Sequence, residues 1–314
     1  MTATPTTIGL VQFTATPDPA ENRATALALT ERAADSGAQL VLPHELVATQ
    51  YFPAFPVDDA YFDLAEPIDG PTVTAFRELA RRRGVAVLVP WFERAGSGRY
   101  FNTAAFVDES GEILGVWRKV HIPRVQVPEG DSTIEVDEKY YFEEGHEPYG
   151  VIDWRGVGVG VLICHDRHFP EAARALALQG ADLLLIPSTS RGIPDSVDPV
   201  ATWRTELGAM AIQNCLYVAA TNRTGLEGRQ VFMGASLVVH PAGDELARLG
   251  SEPGVEVVGI DPAAAERVRR ARGFFRDRRP ELYGALVERD AATASARTAR
   301  ASARSEGARS EGAR

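Results

Sequence analysis

The sequence predicts an α/β fold in which helices cover sheets. Short apolar runs that lack polar alternation, among them Ile8–Phe13, Gln39–Pro43 and Leu183–Ile186, read as strands buried on both faces. Segments with helical spacing lie between them, and glycine and proline mark the joints.

Strand Ile8–Phe13 is followed by a helix over Ala20–Ser36, where Ala24, Leu27, Ala28 and Ala33 fall near one face. Strand Gln39–Pro43 comes next, then an amphipathic helix over Thr72–Arg83 that Gly84 closes. Val85–Val89 and Thr103–Val107 read as strands, and the turn at Ser110-Gly111 leads into strand Ile113–Trp117. Arg118–Asp137 has no clear period and is expected to be a long loop of the kind that often serves as a lid. Strand Val157–Ile163 leads into a helix over Pro170–Gln179, with Pro170 in its first turn and Gly180 past its end. A helix around Val200–Gln213 separates strands Leu183–Ile186 and Tyr217–Ala220, and Leu237–Val239 completes the series. Residues 1–290 are expected to form one domain. From Ala291 the composition collapses to Ala, Arg, Ser, Thr, Glu and Gly, with SEGAR twice in tandem, so 291–314 is expected to be a disordered tail with nothing to bury.

A chain of 314 residues, 45% of them hydrophobic, can bury its core without covalent staples. Its only cysteines are Cys164 and Cys215, which do not make a disulfide framework and point to a reducing compartment. Met1–Thr7 lacks a basic patch followed by an apolar core, and no apolar run approaches the ~20 residues that span a bilayer. A cytoplasmic protein is expected, without membrane partners. The net charge is −10, and the tail contributes +3 (five Arg, two Glu), leaving −13 on the body. An acidic body argues against a nucleic-acid partner.

Cys164 ends GVGVGVLIC and is followed by HDRHFPEAARALALQG, a strand, a sharp turn and a helix. A nucleophile at such a turn points out of the carboxyl edge of the sheet, and the N–H groups after it can hold an oxyanion. A free cysteine is more commonly a small buried apolar thiol, so both readings stand on position alone. Cys215, in NCLYVAA, has no polar neighbours and reads as core. Gly156, Gly158 and Gly160 fail the dinucleotide fingerprint, because no further glycine opens a helix, and they read as permitting close sheet packing. The histidines at 44, 121, 146, 165, 168 and 240 form no metal-binding spacing, so no metal is expected. His165 and His168 flank Cys164 and leave a Cys–His pair as an alternative base arrangement. Glu45, Lys119 and Glu138 each stand where a strand should end; alone each is an ordinary loop charge, but their shared placement sets them apart.

At these residues the sequence resembles the nitrilase superfamily of carbon–nitrogen hydrolases, over about residues 7–287. Leu42-Pro43-His44-Glu45-Leu46 looks like the motif of the catalytic glutamate, Arg118-Lys119-Val120-His121-Ile122-Pro123 like that of the catalytic lysine, and Ile163-Cys164-His165-Asp166-Arg167-His168-Phe169-Pro170-Glu171 like that of the nucleophile. Glu138-Lys139-Tyr140-Tyr141-Phe142 resembles the segment with a second active-site glutamate, and Thr221-Asn222-Arg223 and Phe274–Pro280 also fit. The resemblance implies a four-layer α-β-β-α sandwich, a homodimer or higher homo-oligomer, and a Glu45–Lys119–Cys164 triad with Glu138 and no cofactor. Within the superfamily, Glu45–Pro53 and Cys164-x-Asp166-Arg167 look like N-carbamoyl-D-amino-acid amidohydrolases, and RDRRPELYG looks like N-carbamoylputrescine amidohydrolases. Those last enzymes usually carry tryptophan after the cysteine, and nitrilases continue Cys-Trp-Glu, whereas His165 stands here. A small-molecule ureido or amide substrate is implied, with an aliphatic amidase, a nitrilase and a catalytically inactive scaffold as the competing readings.

The implied mechanism has Glu45 taking the proton of Cys164 while Lys119 favours the thiolate and lowers its pKa. Lys119 and the His165 backbone N–H hold the oxyanion, and Glu138 orients Lys119 or the substrate. Tyr51 and Arg167 are the candidate substrate-binding residues. Arg167 either grips a substrate carboxylate bidentately or pairs with Asp166 or Glu171.

Overall fold

In the computed structural model, which describes residues 5–129, 132–147, 149–191 and 197–288, the apolar runs pair into two six-stranded sheets. The first half of the chain supplies β1 (Thr6–Gln12), α1 (Pro19–Asp35), β2 (Leu40–Pro43), α2 (Pro71–Arg83), β3 (Ala86–Gly96), β4 (Arg99–Val107) and β5 (Ile113–Arg118). Next come β6 (Arg124–Glu129), β7 (Ser132–Asp137), α3 (Glu138–Tyr141), β8 (Val151–Trp154), β9 (Val157–Val161), α4 (Pro170–Leu178), β10 (Leu183–Ser188) and α5 (Pro199–Asn214). The series closes with β11 (Tyr217–Asn222), β12 (Thr224–Glu227), β13 (Gln230–Met233), β14 (Leu237–Val239), β15 (Glu245–Arg248), β16 (Gly254–Ile260) and α6 (Ala263–Arg272). The sheet orders are β16-β1-β2-β3-β4-β5 and β15-β14-β11-β10-β9-β8, and β6–β7 and β12–β13 are separate hairpins. Strands β1, β2 and β3 run parallel in the first sheet, as do β9, β10 and β11 in the second.

The layers follow from which face each side chain takes. Leu10, Leu42, Leu88 and Phe106 of the first sheet meet Val159, Val161, Leu185 and Ala219 of the second in one buried cluster. The alternate residues Val11, Val41 and Val87 face the other way and pack with Ala26 and Ala33 of α1 and Phe76 and Leu79 of α2. Helices α4 and α5 pack on each other, and α5 lies against β11. The result is the expected α-β-β-α sandwich. Helix starts are set chemically: Asp18 and Asp198 accept backbone N–H groups at the caps of α1 and α5, with proline in the first turn of each. Gly84 ends α2 in the left-handed region, at φ 63°. Gly158 on β9 lies so close to the Gly180 carbonyl that a Cβ there would fall 2.1 Å from its oxygen, which fixes how tightly the α4–β10 turn sits on the sheet.

Two departures from expectation concern the fold. The 118–137 segment is not one long loop: Arg118 ends β5, and β6 and β7 form an antiparallel hairpin from Arg124↔Asp137 onward. Strands β8, β12, β13, β15 and β16 and helix α6 were not expected. Strands β8, β15 and β16 are sheet edges, where half-exposed backbone tolerates polar residues such as those of Glu245–Arg248 and the period is weak.

The chain divides into two units, Met1–Arg272 and Gly273–Arg314. In the second, residues 280–282 and 284–287 form single 3₁₀ turns, and the Arg278 guanidinium lies 5.7 Å from the Tyr283 ring centre. The expected tail, 291–314, lies outside the described residues.

Candidate active site

Glu45, Lys119 and Cys164 follow β2, β5 and β9, and Glu138 opens α3 directly after the β6–β7 hairpin. Cys164 begins a 3₁₀ turn, Cys164–His168, and its own φ of 47° is left-handed. A cysteine holds that conformation only where its surroundings impose it. Asp166 does so here. Its Oδ2 accepts Ile163 N at 3.1 Å and its Oδ1 accepts His121 N at 2.9 Å, which ties the nucleophile turn to the segment that carries Lys119. His121 stacks flat on Phe169, with ring centres 3.6 Å apart, and closes the same joint.

Glu45, Lys119 and Glu138 are all fully buried and form one charged cluster. Lys119 Nζ donates to Glu45 Oε1 at 3.0 Å and to both oxygens of Glu138 at 2.8 Å. Glu45 also accepts from Asn102 Nδ2 at 2.7 Å and from the Thr189 hydroxyl, and the nearby Cys164 thiol favours its charged form as well. Tyr51 Oη donates to Glu138 Oε1 at 2.5 Å. Burial opposes the charge on Glu45, but Lys119 and Thr189 outweigh it and hold the carboxyl below the usual carboxylate range. Burial pushes Glu138 up to about 7 although Lys119 pulls it back. Burial works against the Lys119 charge as well, and the two carboxylates overcome it and hold its pKa above the usual range.

The thiol departs from expectation. Burial, and then the neighbouring Glu45 carboxylate, push Cys164 up to about 11. Lys119 and Arg167 pull the other way without overcoming these effects. The surroundings of the thiol therefore raise its pKa, where the charge of Lys119 was expected to lower it.

Arg167 is buried and committed to its own turn. Its Nη1 donates to Cys164 O at 2.9 Å, its Nη2 to Ser190 Oγ at 3.1 Å, and its Nε to Glu206 Oε2 at 3.0 Å. Its ion-pair partner is thus Glu206 of α5, not Asp166 or Glu171, because the turn aims the side chain towards α5, where it also lies over the Trp203 ring. His168 bonds to the same Glu206 through Nδ1, and His165 is driven down to about 4 by burial and then by Lys119. Neither imidazole bonds to the thiol among the described contacts. A cavity of about 330 Å³ opens over Cys164, Glu138 and Tyr51, walled by Val125 and Val136 of the hairpin and by Arg167, His168 and Phe232. His165 lies in the first turn of its 3₁₀ segment, where N–H groups have no intrahelical acceptor.

With this geometry in place, the comparisons with known proteins are decisive about ancestry. The family model described as carbon-nitrogen hydrolase matches residues 7–270. The chain belongs to the carbon–nitrogen hydrolase family. It is a hydrolase of carbon–nitrogen bonds other than peptide bonds. This hydrolase is 35% identical to an N-carbamoylputrescine amidase of Solanum lycopersicum over 91% of its own length and 96% of the relative's. It is also 35% identical to a citrullinase of Francisella tularensis, over 90% and 98%. Among solved structures, a carbon–nitrogen hydrolase of Helicobacter pylori superposes with a TM-score of 0.83 at 30% identity, covering 91% of this chain and 99% of that one. An amidase of Nesterenkonia sp. AN1 superposes at 0.71 with 33% identity, covering 88% and 95%; one of its mutants shows the acetamide moiety of fluoroacetamide added covalently at the active-site cysteine.

Sequence reasoning missed several residues that build this hydrolase's cluster. Asn102 and Thr189 both hold Glu45, and Glu227 lies behind it, paired with Arg223, which the sequence marked only as part of a fitting segment, with no role assigned. Asn102 left a signal, since a polar residue inside the apolar run of β4 needs a buried partner. Thr189, one residue past β10, left none, because a threonine at a strand end is ordinary.

Proposed function

We propose that this hydrolase is a cysteine-dependent amidohydrolase that cleaves an N-carbamoyl (ureido) compound through a Cys164 thioester. The observation that carries the reading is the Glu45 carboxylate set between the Cys164 thiol and the Lys119 ammonium, beside a cavity of substrate size. Glu45 accepts the thiol proton as Sγ attacks the carbonyl carbon, so the high thiol pKa is met by proton transfer during attack. Lys119 and the His165 N–H hold the tetrahedral oxyanion; one such donor is worth about 3–4 kcal/mol in other hydrolases. Glu45 returns the proton to the leaving nitrogen, the C–N bond breaks, and the amine departs. Water, deprotonated by the same carboxylate, then cleaves the carbamoyl thioester to free thiol and carbamate, which decomposes to ammonia and carbon dioxide.

The ureido class is supported by the relatives named for N-carbamoylputrescine and citrulline, two compounds that share a terminal ureido group on an unbranched chain. A second reading, hydrolysis of a short aliphatic amide, is favoured by the likeness to the Nesterenkonia amidase, one of whose mutants is described in complex with butyramide. Ammonia release from N-carbamoylputrescine, citrulline, N-carbamoyl amino acids, butyramide and a nitrile decides between them, with Cys164→Ala and Glu45→Gln as controls. Release from a ureido compound, lost in both controls, is the expected result. Release from butyramide alone establishes the amidase reading, and turnover that survives Cys164→Ala rejects the thioester.

A further inference from the structure

Arg223 follows β11 in the second sheet and is fully buried, yet it does not line the cavity. Its Nη2 donates to the carbonyls of Glu45 at 2.9 Å and Leu46 at 3.1 Å, and its Nη1 donates to the carbonyl of Thr49 at 2.8 Å. Nη1 also reaches both oxygens of Glu227, at 2.7 and 3.0 Å. Glu227, buried at the end of β12, in turn accepts Ala15 N on Oε1 and Tyr51 N on Oε2, each at 3.0 Å. The segment between β2 and the 3₁₀ turn at Phe52 has no helix or strand, and its Leu46 sits at a left-handed φ of 50°. A buried backbone without a ladder must find its hydrogen bonds elsewhere. Here one ion pair supplies many of them.

We propose that Arg223 and Glu227 are positioning residues, one buried pair that sets Glu45 against Cys164 and Tyr51 against Glu138 at the same time. The inference rests on the reading of Glu45 as the proton carrier. The chemistry suits arginine specifically. A planar guanidinium spans three carbonyls and a carboxylate in fixed directions, whereas a lysine ammonium in the same place is a single point of donation. Glu227 must likewise be an acceptor on both oxygens, because both face N–H groups. A bland alternative is that the pair only stabilises this stretch of chain.

The experiment uses the full chain with Arg223→Lys, Glu227→Gln, Glu45→Gln and the Arg223→Lys/Glu45→Gln double variant. Thermal unfolding gives the folded fraction, and steady-state kinetics on the best ureido or amide substrate gives kcat and KM. The pH dependence of Cys164 alkylation by iodoacetamide, followed by mass spectrometry, needs no substrate. Per folded molecule, Arg223→Lys and Glu227→Gln are expected to lower kcat by about 100-fold with KM nearly unchanged, as a misplacement near 1 Å does. The alkylation midpoint, held above that of a free thiol in the parent by burial and then by the Glu45 carboxylate, is expected to fall in both. The double variant is expected to match Glu45→Gln alone, since a residue that acts through Glu45 has no effect once its charge is gone. An unchanged kcat per folded molecule overturns the inference. So does a double variant whose midpoint falls further than that of Glu45→Gln, which is general loosening, and so does a failure of both single variants to fold. If Glu45→Gln moves the midpoint and the other two do not, the positioning role alone is lost. If Glu45→Gln leaves it in place, the reading of the whole site is lost with it.

Discussion

Both carboxylate oxygens of Glu138 lie 2.8 Å from the Lys119 ammonium nitrogen, a two-point grip that no other residue makes on that lysine among the described contacts. Glu138 therefore fixes where Lys119 points. Glu138→Gln turns one of those acceptors into a donor that faces the ammonium, and kcat is expected to fall by about 100-fold or more while the fold persists. Tyr51→Phe removes only the hydroxyl that donates to Glu138 at 2.5 Å. Loss of one charge-assisted hydrogen bond, about 1.5–3 kcal/mol, sets an expected drop of about 10- to 150-fold. A larger loss from Tyr51→Phe than from Glu138→Gln, measured as kcat per folded molecule, would place Tyr51 on the substrate instead.

Arg167 offers the second prediction. Donors on all three of its guanidinium nitrogens are engaged by Cys164 O, Ser190 Oγ and Glu206. Arg167→Ala should then lower kcat alike for N-carbamoyl amino acids and for N-carbamoylputrescine, by disturbing the turn that carries the nucleophile. A rise in KM confined to the carboxylate-bearing substrates would show instead that the guanidinium grips the substrate.

The cluster was legible where a charged residue stood beside a recognisable strand end. Glu45 after Leu40–Pro43 and Lys119 after Ile113–Arg118 are such cases, because a charge at the edge of an apolar run breaks the pattern. The sandwich was legible because its central strands are apolar on both faces, and that pattern survives without structure. What could not be read was long-range partnership. Arg223 meets Glu45 across 178 residues, and Thr189 meets it across 144. The thiol acidity was misjudged for the same reason: Lys119 was visible as a nearby positive charge, but the burial that outweighs it is a property of the folded interior. The hairpin at 124–137 was hidden because its two strands pair mainly with each other, outside both sheets.

Two glycine substitutions should have opposite signs. A Cβ at Gly158 would fall 2.1 Å from the Gly180 carbonyl oxygen, so Gly158→Ala forces the α4–β10 turn off β9 and is expected to cost about 1–3 kcal/mol. Gly208, inside α5, has nothing within 4 Å of the same position. Gly208→Ala is expected to stabilise by about 0.5–1 kcal/mol, since glycine inside a helix wastes chain entropy. Urea unfolding of both variants checks the pair. A neutral Gly158→Ala would mean that the turn is free to retreat from the sheet.

His165 predicts how stability depends on acid. Burial, and then the nearby Lys119 charge, hold its folded pKa down to about 4, whereas an unfolded histidine titrates near 6.5. Between those values the unfolded chain binds the proton and the folded chain does not, so stability must fall as pH drops through this window. Above about 6.5 both states are neutral and the effect vanishes. Glu45, whose pKa is held low by Lys119 and Thr189 against its burial, also loses stability on the acid side, but mostly below the usual carboxylate range. The two are separated by comparing the parent with His165→Gln, which keeps a polar side chain but cannot titrate. Denaturant midpoints measured from pH 7 to pH 4 should fall further in the parent than in the variant. Parallel curves across that window would mean that the imidazole is solvated in the folded protein and that Lys119 does not reach it.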